Sequence, residues 1–114
     1  MDEVLRQSLL YDFYGELLTE HQRTVYEAVV QDDLSYSEAA EMFDISRQGV
    51  HDLVKRCEKQ MEEYESRLHL VERFQNIRAN VLKLQELSAQ ASGIGREEFA
   101  HQVSELSERI LEEL

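Results

Sequence analysis

Residues 34–53 read LSYSEAAEMFDISRQGVHDL, and this stretch decides the fold. Ser35 followed by Glu38 has the form of a capping box, in which each side chain satisfies a free backbone N–H at a helix start. Leu34 and Ala39 flank it at the spacing of a hydrophobic staple. The helix can last only about two turns, because Asp44-Ile45-Ser46 reads as a turn that ends in a second N-cap. Ile45 and Val50 again stand at staple spacing. Ala39 and Ala40 are small where two helix axes must approach. Two short capped helices joined in this way read as a helix-turn-helix, although the same pieces also occur in ordinary helical bundles.

At about 100° per residue, the second helix of the unit separates into two faces. Val50, Leu53, Val54 and Cys57 cluster inward, whereas Arg47, Gln48, His51, Lys55 and Lys59 point outward. The outward set suits the major groove: arginine can fork onto guanine, glutamine onto adenine, and free N–H groups at the helix start can meet a phosphate. Between Ser46 and Gln60 the basic residues Arg47, Lys55, Arg56 and Lys59 outnumber the acidic Asp52 and Glu58. On an exposed face such residues are also commonly just solvated.

Working upstream, Leu5, Leu9, Phe13 and Leu17 recur every four residues, widened by Leu10 and Tyr14 into an amphipathic helix over 3–15. Leu17 is expected to pack from the connection. Gly15 offers an inexpensive helix end, and Thr19 with Gln22 forms a further capping box. The helix that follows carries Val25, Tyr26, Val29 and Val30 on one face and fades near Asp32 and Asp33.

Downstream, Val50, Val54, Cys57, Met61, Tyr64, Leu68 and Val71 alternate steps of four and three, a 3.5-residue period. The stripe slips in phase before Phe74, Ile77, Val81, Leu84 and Leu87. One helix from Arg47 to Ala91 would be roughly 65–70 Å long, so a break near His69 with a fold-back is preferred to a rod. Ser92-Gly93-Ile94-Gly95 reads as a helix-to-helix loop, since a Gly-X-Gly with no strand before it and no lysine after it is a poor phosphate cradle. The last helix, 96–113, places Phe99, Val103, Leu106 and Ile110 on one stripe. Such long stripes predict a homodimer or partner interface through Met61, Tyr64, Leu68, Phe99, Val103, Leu106 and Ile110. The alternative is an antiparallel hairpin within one chain.

Composition closes other classes. None of the 114 residues is proline, four are glycine, and 32% are charged, which argues for an all-α protein with no β sheet. The net charge of -12 opposes any global affinity for nucleic acid or an anionic membrane. One cysteine, Cys57, allows no internal disulfide, and with no leader segment the expected location is cytoplasmic. No apolar run reaches the roughly 18–20 residues of a membrane span. His21, His51, His69 and His101 stand singly, so no metal site is read and no cofactor is implied. The carboxylates fall on polar helix faces and Cys57 on an apolar one, so no catalytic residue is assigned and the protein is read as a non-enzyme. His51 is the one histidine placed for nucleic acid, a contact that protonation would strengthen.

The elements DFYG (12–15), LLTEHQ (17–22), SRQGVHD (46–52) and YE (64–65) sit in a segment, 10–74, that resembles the YlxM family of small bacterial proteins. The helix-turn-helix of that family is similar to region four of RNA polymerase sigma factors. The resemblance implies a cytoplasmic, all-α, DNA-binding regulator, associated by gene neighbourhood with the GTPases of the signal recognition particle pathway. Ser46 to Arg56 match a sigma-type recognition helix. Ser46, Arg47, Gln48, His51, Lys55 and Arg56 therefore inherit the DNA-binding role. Sigma-type helices are more basic, and Asp52 and Leu53 depart from that pattern.

The expected organisation is a helix-turn-helix domain over 1–66 and a C-terminal helical hairpin or dimerisation extension over 67–114. Two functions fit. One is a regulator that binds duplex DNA weakly and salt-sensitively, helped by dimerisation. The other is a modulator of the signal recognition particle GTPases or their RNA, with the helix-turn-helix as scaffold.

Overall fold

Local capping signals set the element boundaries in the computed structural model, which describes residues 2–114. Six α-helices and no strand occur among the described residues: α1 (Glu3–Tyr14), α2 (Glu20–Val30), α3 (Tyr36–Phe43), α4 (Arg47–Leu68), α5 (Leu70–Ala89) and α6 (Arg96–Glu113). Asp2 caps α1 by accepting from the Val4 N–H. Thr19 with Gln22 and Ser35 with Glu38 form complete reciprocal capping boxes on α2 and α3. The Ser46 hydroxyl accepts from the Gly49 N–H at 2.9 Å and starts α4. These bonds satisfy donors that a helix start otherwise leaves free.

The chain divides into two units, one ending at His69 and the other spanning Leu70–Leu114. In the first, α4 packs against α1, α2 and α3. Leu10, Tyr14, Leu18, Val25, Tyr26, Ala28, Ala39, Val50, Val54, Cys57 and Met61 form its buried core. Ala39 is fully buried, as a residue at a close helix crossing should be.

The buried line of α1 and the turn after it runs through Leu10, Tyr14 and Leu18 rather than through Leu5, Leu9, Phe13 and Leu17. Leu17, expected to pack from the connection, is 55% exposed and Leu18 packs in its place. A 3₁₀ turn over Gly15–Leu17 tightens the chain just there, which rotates the next side chain inward. Val30, expected on the inward face of α2, is likewise exposed.

Gly15 serves a different purpose from the one its position suggests. Its backbone is right-handed helical (φ -57°), so no left-handed conformation calls for glycine. A Cβ there would instead stand 2.8 Å from Cε2 of Tyr11. The Tyr11 ring is held by stacking on Tyr26, centroids 5.2 Å apart, and by a hydroxyl bond to Glu27. Gly15→Ala should therefore lower the urea midpoint, since overpacking costs about 1–3 kcal/mol against roughly 0.5–1 kcal/mol recovered in backbone entropy. An unchanged or raised midpoint would show that Tyr11 yields freely.

α4 ends at Leu68, where His69 adopts a left-handed conformation (φ 56°, ψ 29°), and α5 begins at Leu70. The 3.5-residue stripe of α4 holds only as far as Met61. The next buried residue is Glu65, whereas Tyr64 is half-buried and Leu68 is 46% exposed. A straight helix has 3.6 residues per turn, so a strict heptad line drifts by about 20° per repeat away from the core. Glu65 is tolerated there because the Tyr14 hydroxyl donates to its Oε1 at 2.6 Å.

In the second unit α5 and α6 pack as an antiparallel hairpin. Asn76 near the start of α5 donates to Glu113 at the end of α6 at 3.0 Å, and Leu87 and Leu106 are buried. An antiparallel hairpin is one of the two arrangements that the sequence allowed for this segment. The α5 stripe also shifts: Asn80 is buried where Val81 was expected inward, and Phe74 and Val81 are each 41% exposed.

Candidate nucleic-acid interface

The turn between α3 and α4 fixes the presentation of the outer face of α4. Asp44 takes the left-handed conformation (φ 54°, ψ 49°), and the N–H groups of Asp44 and Ile45 both return to the Ala40 carbonyl. Aspartate tolerates this region better than most residues. The turn leaves Ser46 at the head of α4, with its hydroxyl committed to the Gly49 N–H. Ser46 is thus placed as a cap first.

Arg47, Gln48, Lys55 and Arg56 are exposed and His51 is half-buried. Arg47, Gln48 and His51 line a surface recess with Tyr36 of α3. The Tyr36 and His51 rings meet edge to face, centroids 5.6 Å apart. Arg47 and Arg56 form no ion pair among the described residues, so their guanidinium groups are available to an anion.

The remaining candidates are engaged by neighbouring carboxylates. Gln48 Nε2 donates to Asp52 Oδ1 at 2.9 Å, and His51 Nδ1 lies 3.2 Å from the same oxygen. The Gln48 amide first, and His51 second, hold the Asp52 carboxyl below the usual carboxylate range. Lys55 Nζ stands 3.5 Å from Glu58 Oε2. Asp52 thus orients two groups that could read base edges and also neutralises part of the positive patch. Its i+4 spacing from Gln48 was a legible signal, since such pairs face each other on a helix.

The residues assigned to a partner interface are divided by the structure. Met61 is 0% exposed inside its own unit and presents no surface to another chain. Leu106 is buried in the hairpin of its own chain. Tyr64 packs near Tyr14, ring centroids 5.9 Å apart. Phe99, Val103 and Ile110 are half-buried, which leaves Leu68 as the most exposed of the set.

Among the described residues no group of three or more His, Cys, Asp or Glu side chains could hold a metal ion, and no helix is long and apolar enough to cross a membrane. Cys57 is fully buried, and desolvation by that burial pushes its thiol up to about 11. The thiolate is the reactive species. At pH 8 the folded chain should therefore resist iodoacetamide, whereas the chain in denaturant should alkylate within minutes. Equal rates would mean that α4 opens readily around Cys57.

Residues 1–99 match a family profile described as "Putative helix-turn-helix protein, YlxM / p13 like". The chain is 46% identical over 85 residues to a UPF0122 protein of Caldanaerobacter subterraneus subsp. tengcongensis, covering 75% of this chain and 73% of that protein. It is 41% identical over 97 residues to UPF0122 proteins of Bacillus thuringiensis and Bacillus cereus, covering 85% of this chain and 88% of theirs. The family match takes in α1 to α5 and stops within the first turn of α6.

Proposed function

The chain belongs to the UPF0122 family of YlxM-like helix-turn-helix proteins, and from that premise we propose that it is a non-catalytic regulator that contacts duplex DNA through the first turns of α4. Arg47 and Arg56 supply phosphate or guanine contacts, Gln48 and His51 base-edge contacts, and Lys55 a further phosphate contact once released from Glu58. The observation that carries this reading is the exposed, capped start of α4, where Arg47, in no ion pair among the described residues, lines the recess at Tyr36 with Gln48 and His51. Few positive charges are available in a chain of net charge -12, so binding is local and weak, and its salt dependence follows the few phosphates those charges neutralise. A salt series of binding to labelled duplexes tests it, and undetectable binding at low salt would rule it out.

A second reading is favoured by the acidity of the remaining surface. α6 alone carries Glu97, Glu98, Glu105, Glu108, Glu112 and Glu113 against Arg96 and Arg109. Such a helix suits a basic protein or ribonucleoprotein, and the signal recognition particle GTPases with their RNA are the partners that the resemblance implies. If purified targeting GTPases, with and without RNA, neither bind the chain nor change their nucleotide turnover in its presence, this reading fails. Self-association through Leu68, Phe99, Val103 and Ile110 would serve either role by doubling the contacts.

A further inference from the structure

Two polar atoms lie buried without hydrogen-bond partners in residues that wall the same cleft: the Tyr26 hydroxyl and Gln7 Oε1. The cleft, of about 480 Å³, opens between α1, α2 and the middle of α4. Ligand-binding clefts commonly span roughly 300–1,000 Å³.

The lining is one-sided in charge. Glu3, Asp33 and Glu58 contribute carboxylates, and no lysine, arginine or histidine takes part. The stacked rings of Tyr11 and Tyr26 form an aromatic wall. At the mouth Val4 is 75% and Val30 42% exposed, both otherwise unexplained apolar surface.

The orphaned atoms sharpen the chemistry. Gln7 Nε2 donates to Glu3 Oε1 at 3.2 Å, which fixes the amide so that its oxygen is the atom left over. Tyr26 is 1% exposed, and the charges that act on its hydroxyl include Glu58 and Tyr11, two other walls of the cleft. A buried polar group without a partner costs about 1–3 kcal/mol, so both atoms gain from a donor. Acceptors, carboxylates and aromatic faces together suit a head group that is cationic and donates only. An ammonium has three donors and no acceptor, and its alkyl stem can lie along apolar surface.

We propose that this cleft binds a primary alkylammonium group, either the side chain of a lysine on a partner peptide or the end of a free polyamine. Gln7 Oε1, the Tyr26 hydroxyl and the Glu58 carboxylate receive the ammonium, and Val4 and Val30 cover the stem. Lys55, whose Nζ stands 3.5 Å from Glu58, is the internal competitor for the same carboxylate.

The test titrates the full chain, followed by amide NMR shifts, with three probes: Nα-acetyl-lysine methylamide, spermidine and 1-pentanol. Saturable shifts at Gln7, Tyr11, Tyr26 and Glu58 are expected with amine and not with the alcohol. Tyr26→Phe and Glu58→Gln should each weaken amine binding about tenfold, the scale of one hydrogen bond to a charged group. Tyr26→Phe keeps the ring and removes only an unpartnered hydroxyl, so its thermal midpoint should not fall. Lys55→Ala should tighten binding about twofold to threefold, as expected for loss of an exposed competing pair. Binding of the lysine probe alone identifies a peptide as the source, and binding of spermidine alone a free polyamine. Pentanol binding as well as the amines, or amine shifts that survive both Tyr26→Phe and Glu58→Gln, would overturn the proposal.

Discussion

Met61→Ala should lower the stability of the folded chain by about 2–5 kcal/mol, the usual cost of truncating a fully buried large side chain to alanine. Met61 is 0% exposed, on the line Val50, Val54, Cys57, Met61 along which α4 meets the core. The lost volume lies beneath a single rigid helix of 22 residues, which cannot locally collapse to fill it. Chemical denaturation of parent and variant gives the number directly. The same experiment separates a core role from an interface role. A core residue gives the same shift at every protein concentration, whereas an interface residue makes the midpoint fall on dilution. A concentration-dependent midpoint in the parent that Met61→Ala abolishes would restore Met61 to an interface.

The contrast between Met61 and its expected role shows which layers of the structure were legible. Caps depend on residues three apart, so Thr19 with Gln22, Ser35 with Glu38 and the Ser46 turn could be read from the chain alone. Those caps bound α2, α3 and the start of α4, which is why the helix-turn-helix and the outward set from Arg47 to Arg56 were accessible. The phase of a long stripe is set by what packs against it. An apolar line at 3.5 spacing names Leu68, but a straight helix delivers Glu65 to the core, where the hydroxyl of Tyr14, 51 residues upstream, donates to it. Leu18 replaced Leu17 in the core for a similar reason, because a 3₁₀ turn re-phased the chain just before it, while Leu10 and Tyr14 of the wider α1 stripe face α4. Asp52 was visible as a departure from a basic helix. Its pairing with Gln48 follows from their i+4 spacing, whereas the approach of His51 to the same oxygen depended on rotamers that no spacing reveals.

That carboxylate yields the sharpest expectation for the proposed DNA contact. Asp52→Asn removes a negative charge from the middle of the patch and loosens the hold on Gln48 and His51 while keeping the side-chain shape. Duplex affinity should rise, by about threefold to tenfold at low salt, and the gain should shrink as salt screens the removed repulsion. Arg47→Ala should act in the opposite sense. Among the described residues Arg47 has no ion pair to recover, so its loss should cost about 1–3 kcal/mol if it forks onto guanine, with relaxed preference at one base pair. Lys55→Ala should weaken all sequences alike and reduce the slope of log affinity against log salt by about 1, the signature of one phosphate contact. Its effect on affinity should be the smaller of the two, because in the free protein Lys55 is already partly neutralised by Glu58. The three variants together discriminate between roles for α4. A nucleic-acid contact requires the sign to reverse between Asp52→Asn and Arg47→Ala. If all three leave duplex binding unchanged while the chain still binds the targeting GTPases, the outer face of α4 is scaffold and the acidic surface carries the function.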